Sequence, residues 1–172
     1  MRQAVNLLHS RENMVNFNDT QVTLSKVTQE GLLKDVCERP SIEACGILLG
    51  QRDEAGNWYV EKAVPLPNVF DSSVYFEFAP EDLLAVELRY PGQTIGVYHS
   101  HPTGFDRASE TDHKNMKRIN QEQQIPWVWL IIYGPFDEAF TQRAKGALPQ
   151  DSIIAYHHYE KIGLQRVIVV RE

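Results

Sequence analysis

The chain is poor in cysteine, has no long hydrophobic run and carries no excess of positive charge. Of its 172 residues two are cysteines, Cys37 and Cys45, and no C-x-x-C occurs. That spacing argues against a zinc knuckle or a thioredoxin-type redox site. Cys37 on an expected helix and Cys45 on an expected strand, each in apolar company, read as buried free thiols. No apolar stretch approaches the roughly 20 residues of a membrane span. The first eight residues are too few and too polar for a secretory signal, so a reducing cytoplasm is the expected compartment. Lys and Arg number 17 against 23 Asp and Glu, a net charge of -6, which argues against nucleic acid because phosphate binding needs a basic field. Repeats and low-complexity segments are absent. The length suits one domain with a core of its own.

Polar residues 1–20, with only Leu7, Leu8, Val15 and Phe17 as a weak apolar pattern, read as an N-terminal extension. The domain proper is expected over 21–172. Residues 22–24 suggest a short strand. Ser25 or Thr28 then caps a helix whose apolar stripe is Leu32, Leu33, Val36 and Cys37, and Pro40 ends it. Residues 44–50 form a continuous apolar run closed by glycine, the pattern of a buried strand. After a turn at 53–57, residues 58–64 alternate as a returning strand. A short strand is expected at 75–78. Pro80, with Glu81 and Asp82 behind it, opens a second helix that runs to about residue 89. Residues 94–99 read as a strand, 109 to about 124 as a polar helix, and 127–133, 153–159 and 165–171 as further strands. Strands arriving in pairs with helices between some of them indicate an α/β or α+β domain on a mostly antiparallel sheet.

One segment carries chemistry: His99-Ser100-His101-Pro102, six residues, Ser109, two residues, Asp112. Side chains at i and i+2 on a strand share a face, so both imidazoles can meet one metal while Ser100 points away. The loop after Pro102 turns the chain and delivers Asp112 in the first turn of a helix. Two imidazoles and a carboxylate are a zinc-ligand set with one position open, the mark of a catalytic rather than a structural metal. A hydrolase also needs a base near the water. Glu43, an acid just ahead of the apolar run 44–50, is the candidate; its alternative is a hydrated loop carboxylate. Ser109 is the candidate donor to a developing oxyanion, and its alternative is a helix cap. His9, His113, His157 and His158 read as structural or surface residues.

These residues resemble the JAMM (MPN+) metalloproteases, whose pattern is an upstream glutamate, H-x-H-P, six residues and S-x-x-D. The stretch from Glu43 to Gly50 and the lead-in Gly96-Val97-Tyr98 fit as well, so the likeness spans about residues 22–172. It implies that His99, His101 and Asp112 hold one Zn2+ per chain, that Glu43 is the general acid/base and that Ser109 stabilises the tetrahedral intermediate. It implies a cytidine-deaminase-like α/β/α fold, with a curved, mixed, largely antiparallel sheet packed between helices. The implied substrate is the amide bond after the C-terminal glycine of a ubiquitin-like or sulfur-carrier protein. Ala108 stands where many members carry proline. Alternatives are a zinc hydrolase of small peptides or amides, or a zinc-containing binding module in a conjugation or phage-defence complex. A DNA-repair-like relative is disfavoured by the acidic balance, and a zinc deaminase by the missing P-C-x-x-C.

Overall fold

The computed structural model describes residues 19–172; His9 and all but the last two residues of the expected extension lie outside the described residues. In chain order the elements are β1 (Gln21–Leu24), α1 (Lys26–Glu38), β2 (Cys45–Arg52), β3 (Trp58–Leu66), α2 (Pro80–Arg89), β4 (Thr94–His101), α3 (Glu110–Lys117), β5 (Val128–Tyr133), α4 (Glu138–Ala144), β6 (Ile153–Tyr159) and β7 (Gly163–Arg171). Among the described residues no helix is long and apolar enough to cross a membrane.

Local chemistry sets the helix ends. The Ser25 Oγ accepts the Thr28 N–H at 3.1 Å to start α1, and Pro80 occupies the first turn of α2 with Glu81 and Asp82 beside it, where the positive end of the helix dipole favours acids. Beyond α3 one π-helical turn, Arg118–Glu122, completes the helix expected to run to about residue 124. The expected strand at 75–78 is an extended loop without a ladder. Helix α4 has no counterpart in the sequence reading; Asp137 caps it by accepting the Phe140 N–H.

All seven strands join one mixed sheet in the order β1-β3-β2-β4-β5-β6-β7. Strand β2 is antiparallel to both β3 and β4, and β4 is parallel to β5. The sequence leads one to expect a curved, largely antiparallel layer. Four of the ladders are antiparallel, but the curvature goes further: β1 lies parallel to both β3 and β7 and closes the sheet into a barrel. Closure satisfies the edges that an open sheet would leave unpaired.

Alternation along the central strands explains their unbroken apolar runs, since both faces are buried. One face gives Leu48, Tyr98, Leu130 and Ile132 to a core shared with Leu32 and Val36 of α1 and Phe140 of α4. The other gives Ile47, Leu49, Val97, Trp129 and Ile131 to a core shared with Val86 of α2 and Met116 of α3. His99 and His101 follow Val97 in alternation and emerge on this second face. Gly46 is required where β2 passes β4: a Cβ there would lie 2.3 Å from the Val64 carbonyl and 2.5 Å from the Tyr98 ring. Gly46→Ala is therefore expected to cost about 1–3 kcal/mol in denaturant unfolding, and a wild-type midpoint would contradict this packing.

His157, on β6, is a core histidine. Its Nδ1–H donates to the Trp127 carbonyl at 2.8 Å and its ring lies 5.0 Å from that of Trp58. Burial pushes its pKa down from 6.5 to about 4. The unfolded chain therefore binds a proton that the folded chain refuses, and stability falls as pH drops from 6.5 toward 4, by about 3 kcal/mol at most. In the zinc-free protein, His157→Gln should flatten the slope of unfolding free energy across that window; an unchanged slope would place the acid sensitivity elsewhere.

Candidate metal centre

Four ionisable side chains, from β4, α3 and the loop before β2, converge at the C-terminal end of β4. His99 and His101, both buried, bring their Nε2 atoms to 3.1 Å. Asp112, on the first turn of α3, sets Oδ1 3.2 Å from His99 Nε2 and Oδ2 3.3 Å from His101 Nε2. Glu43, just before β2, lies on the same pair with Oε1 3.9 Å from His101 Nε2. Glu43, His99 and His101 can place one ligand atom each within 4.8 Å of one another.

The helix start aims Asp112. Ser109 is the N-cap, its Oγ accepting the Asp112 N–H at 3.1 Å while Asp112 Oδ2 accepts the Ser109 N–H at 2.8 Å. This reciprocal capping box satisfies two otherwise orphaned donors of α3 and fixes the carboxylate. The helix-cap alternative for Ser109 is thus present, and it is compatible with chemistry: the hydroxyl accepts here, and its own proton remains to donate.

Other partners orient the imidazoles. His101 Nδ1 donates to the Phe105 carbonyl at 2.8 Å, which leaves the Nε2 lone pair facing the centre. Phe76 stacks on His99 with ring centroids 4.5 Å apart and 24° between planes. His99 Nδ1 is buried and has no hydrogen-bond partner among the described residues. Ser100 points away, as strand alternation requires, and ties the two strands together: its Oγ accepts the Ala44 N–H at 2.8 Å. Ala108 donates its N–H to the Tyr156 hydroxyl at 3.3 Å, a bond that proline at this position would lack.

The electrostatics follow from this packing. Burial works against the Asp112 charge, yet His99 and His101 overcome it and hold the carboxyl far below its usual range. Burial also opposes charge on His101, but the Asp112 carboxylate and the Phe105 carbonyl raise its pKa. Burial raises Glu43, an effect that the two histidines only partly offset.

The donor set fits a small divalent cation. Zinc bonds of about 2.0–2.2 Å in tetrahedral geometry put ligand atoms about 3.3 Å apart, and the separations among His99, His101 and Asp112 are 3.1–3.3 Å. Glu43 stands farther off at 3.9 Å. Two imidazoles and one aspartate leave a fourth position for a reacting group.

Glu43, Ser109 and Asp112 line a narrow slot together with Val74, Tyr75 and Phe76. A larger apolar groove of about 750 Å3 meets it at Tyr75, Phe76 and Asn115 and continues past Leu83, Leu84, Trp127 and Trp129. Sequence reasoning located Glu43, His99, His101, Ser109 and Asp112, and the structure brings all five together. Sequence reasoning missed Phe76 and the Phe105 carbonyl, neither of which bears a spacing signal. His113 is exposed on α3 and takes no part in the cluster.

The family model for prokaryotic homologs of the JAB domain matches residues 25–145. A solution structure of a protein from Desulfitobacterium hafniense is 24% identical and shares the fold, covering 88% of this chain and 93% of its own at a TM-score of 0.62. A crystal structure of a JAB1/MPN domain protein from Archaeoglobus fulgidus, 19% identical, covers 86% of this chain and 98% of its own at a TM-score of 0.48. No curated protein matches the chain.

The purified protein should bind about one zinc per chain. His99→Ala should abolish that binding. Asp112→Asn, which keeps a cap acceptor and loses the charge, should weaken it at least tenfold. Wild-type zinc content and affinity in both variants, by metal analysis and competition titration, would rule the site out.

Proposed function

The chain belongs to the prokaryotic JAB-domain family, and we propose that it is a zinc-dependent isopeptidase or peptidase. The bond it cuts is the amide after the C-terminal glycine of a ubiquitin-like or sulfur-carrier protein. The observation that carries this reading is the buried Glu43 carboxylate, 3.9 Å from His101 and in one slot with Asp112 and Ser109. In this reading His99, His101 and Asp112 hold the metal. A zinc ion held there supplies Lewis acidity, polarising a carbonyl and acidifying water.

The remaining work falls to the chain's own groups. Glu43, whose pKa burial raises, takes a proton from the attacking water as the new C–O bond forms. It returns that proton to the amine as the C–N bond breaks, so water is added across the amide and no other reactant is consumed. The Ser109 hydroxyl donates to the oxygen that gains charge. The stacked Phe76 and the narrow slot exclude bulk water.

Two features support the substrate. The slot between residues 74–76 and 109–115 is tight, which suits a tail without side chains. The adjoining groove, with Phe78, Leu83, Trp127 and Trp129 in its walls, suits the apolar face of a small protein. The net charge of -6 favours a protein over a nucleic acid as partner. The same reading includes the cytidine-deaminase-like layering, supported by helices packed on both faces of the sheet.

Glu43→Gln should keep zinc and lose roughly 10²–10⁴-fold in cleavage of a Gly-Gly-linked ubiquitin-like fusion. A chelator should stop the wild-type enzyme and added zinc should restore it. Cleavage by Glu43→Gln at the wild-type rate would remove Glu43 as the base. Turnover of short peptides with none of any fusion would favour a small-amide hydrolase instead.

A further inference from the structure

The connection between β3 and α2 is built around one buried amide. Asn68, 4% exposed, donates through Nδ2 to the Glu43 carbonyl at 3.1 Å and to the Tyr75 carbonyl at 2.9 Å. Its Oδ1 accepts the Phe70 N–H at 3.1 Å and the Glu77 N–H at 3.3 Å. Both N–H groups and both lone pairs are used, the full capacity of a carboxamide. The same loop holds Glu43 from its other side, where the Ser72 carbonyl accepts the Glu43 N–H at 2.7 Å. Residues 75 and 77, two of the four that Asn68 binds, flank Phe76, the ring stacked on His99.

We propose that Asn68 is a positioning residue for the metal centre, placing the Glu43 carboxylate beside His101 and the Phe76 ring on His99 through one hydrogen-bonded amide. The inference rests on the role given to Glu43 above. The chemistry at position 68 is exacting. Aspartate would set carboxylate oxygen against two carbonyl oxygens, one of them in a buried bond, and alanine would leave two N–H groups and two carbonyls without this partner. On the far side of Glu43 the Ala44 N–H is held by Ser100 on β4, so the base hangs between the histidine strand and the Asn68 loop. A buried residue that only filled space would need none of these four bonds.

The test compares wild type, Asn68→Asp and Asn68→Ala, each loaded with zinc or with cobalt(II), well below its melting temperature. Asn68→Asp keeps both acceptor bonds and loses both donor bonds, so it carries the test if Asn68→Ala fails to fold. Expected for both variants are about one metal per chain, an altered visible spectrum of the cobalt form, and kcat on a Gly-Gly-linked fusion lower by about 10–100-fold. KM should move by less than about threefold. Wild-type kcat together with a wild-type cobalt spectrum, even with a lowered Tm, would show Asn68 to be structural only and overturn the proposal. Loss of the metal from a folded Asn68→Asp would overturn it too. If wild type cleaves no fusion, the proposed reaction fails while the cobalt spectrum still decides the role of Asn68.

Discussion

Side-chain alternation on β4 is the constraint on which the rest depends. Its odd residues His99 and His101 enter the centre, and its even residues Tyr98 and Ser100 anchor the opposite face. The Tyr98 hydroxyl donates to Asp35 Oδ2 at 2.7 Å. Asp35 in turn receives Arg39 through two bonds of 2.8 and 2.7 Å, and Arg39 reaches on to the carbonyls of Leu66 and Cys45. The end of α1 is thereby tied to β2 two residues after Glu43 and to β4 one residue before His99. A buried ion pair of this kind is weak evidence of stability in itself; here its bonds fix the relation between two strands. Burial together with the Asp35 charge holds the Tyr98 phenol protonated well above its ordinary range, as its donor role requires. Burial also pushes the Cys45 thiol up to about 12, so it packs as an inert side chain.

The capping box gives Ser109 and Asp112 two tasks at once. Local helix chemistry needs an acceptor at each position, and the same bonds turn the Asp112 carboxylate toward the imidazoles. The acid is accordingly among the most constrained side chains of the site, held by the Ser109 N–H as well as by His99 and His101. Glu43 is held differently, through main-chain bonds to Asn68 and Ser72, and among the described residues no hydrogen bond reaches its carboxylate. One carboxylate is locked and the other can exchange a proton, a division suited to ligand and base.

Much of this was legible in the sequence because it is local. The period-two spacing of His99 and His101 dictates a common face, Ser109 and Asp112 announce a helix start, and an acid ahead of an apolar run marks Glu43. The apolar runs at 44–50 and 127–133 declare strands buried on both faces. What was not legible depends on distant pairing. Closure of the barrel requires β1 to meet both β3 and β7, and no spacing in residues 21–24 names those partners. The segment 75–78 has the aromatic alternation of a strand, yet its backbone bonds go to the Asn68 side chain and the Val69 N–H instead of a ladder. Helix α4 has only seven residues, too few to show a helical apolar period. Phe76 earns its place by stacking on His99, a contact that only the folded loop creates.

The central claim is that His99, His101 and Asp112 are the metal's protein ligands and that Glu43 stands free beside them as the proton carrier. A crystal structure of the zinc-loaded protein, with the ion located by anomalous scattering at the zinc edge, tests this most directly. The account predicts one site with both Nε2 atoms and an Asp112 oxygen at about 2.0–2.2 Å, and Glu43 outside bonding distance. Zinc bound by Glu43, His99 and His101, with Asp112 left only as the cap of α3, would contradict it.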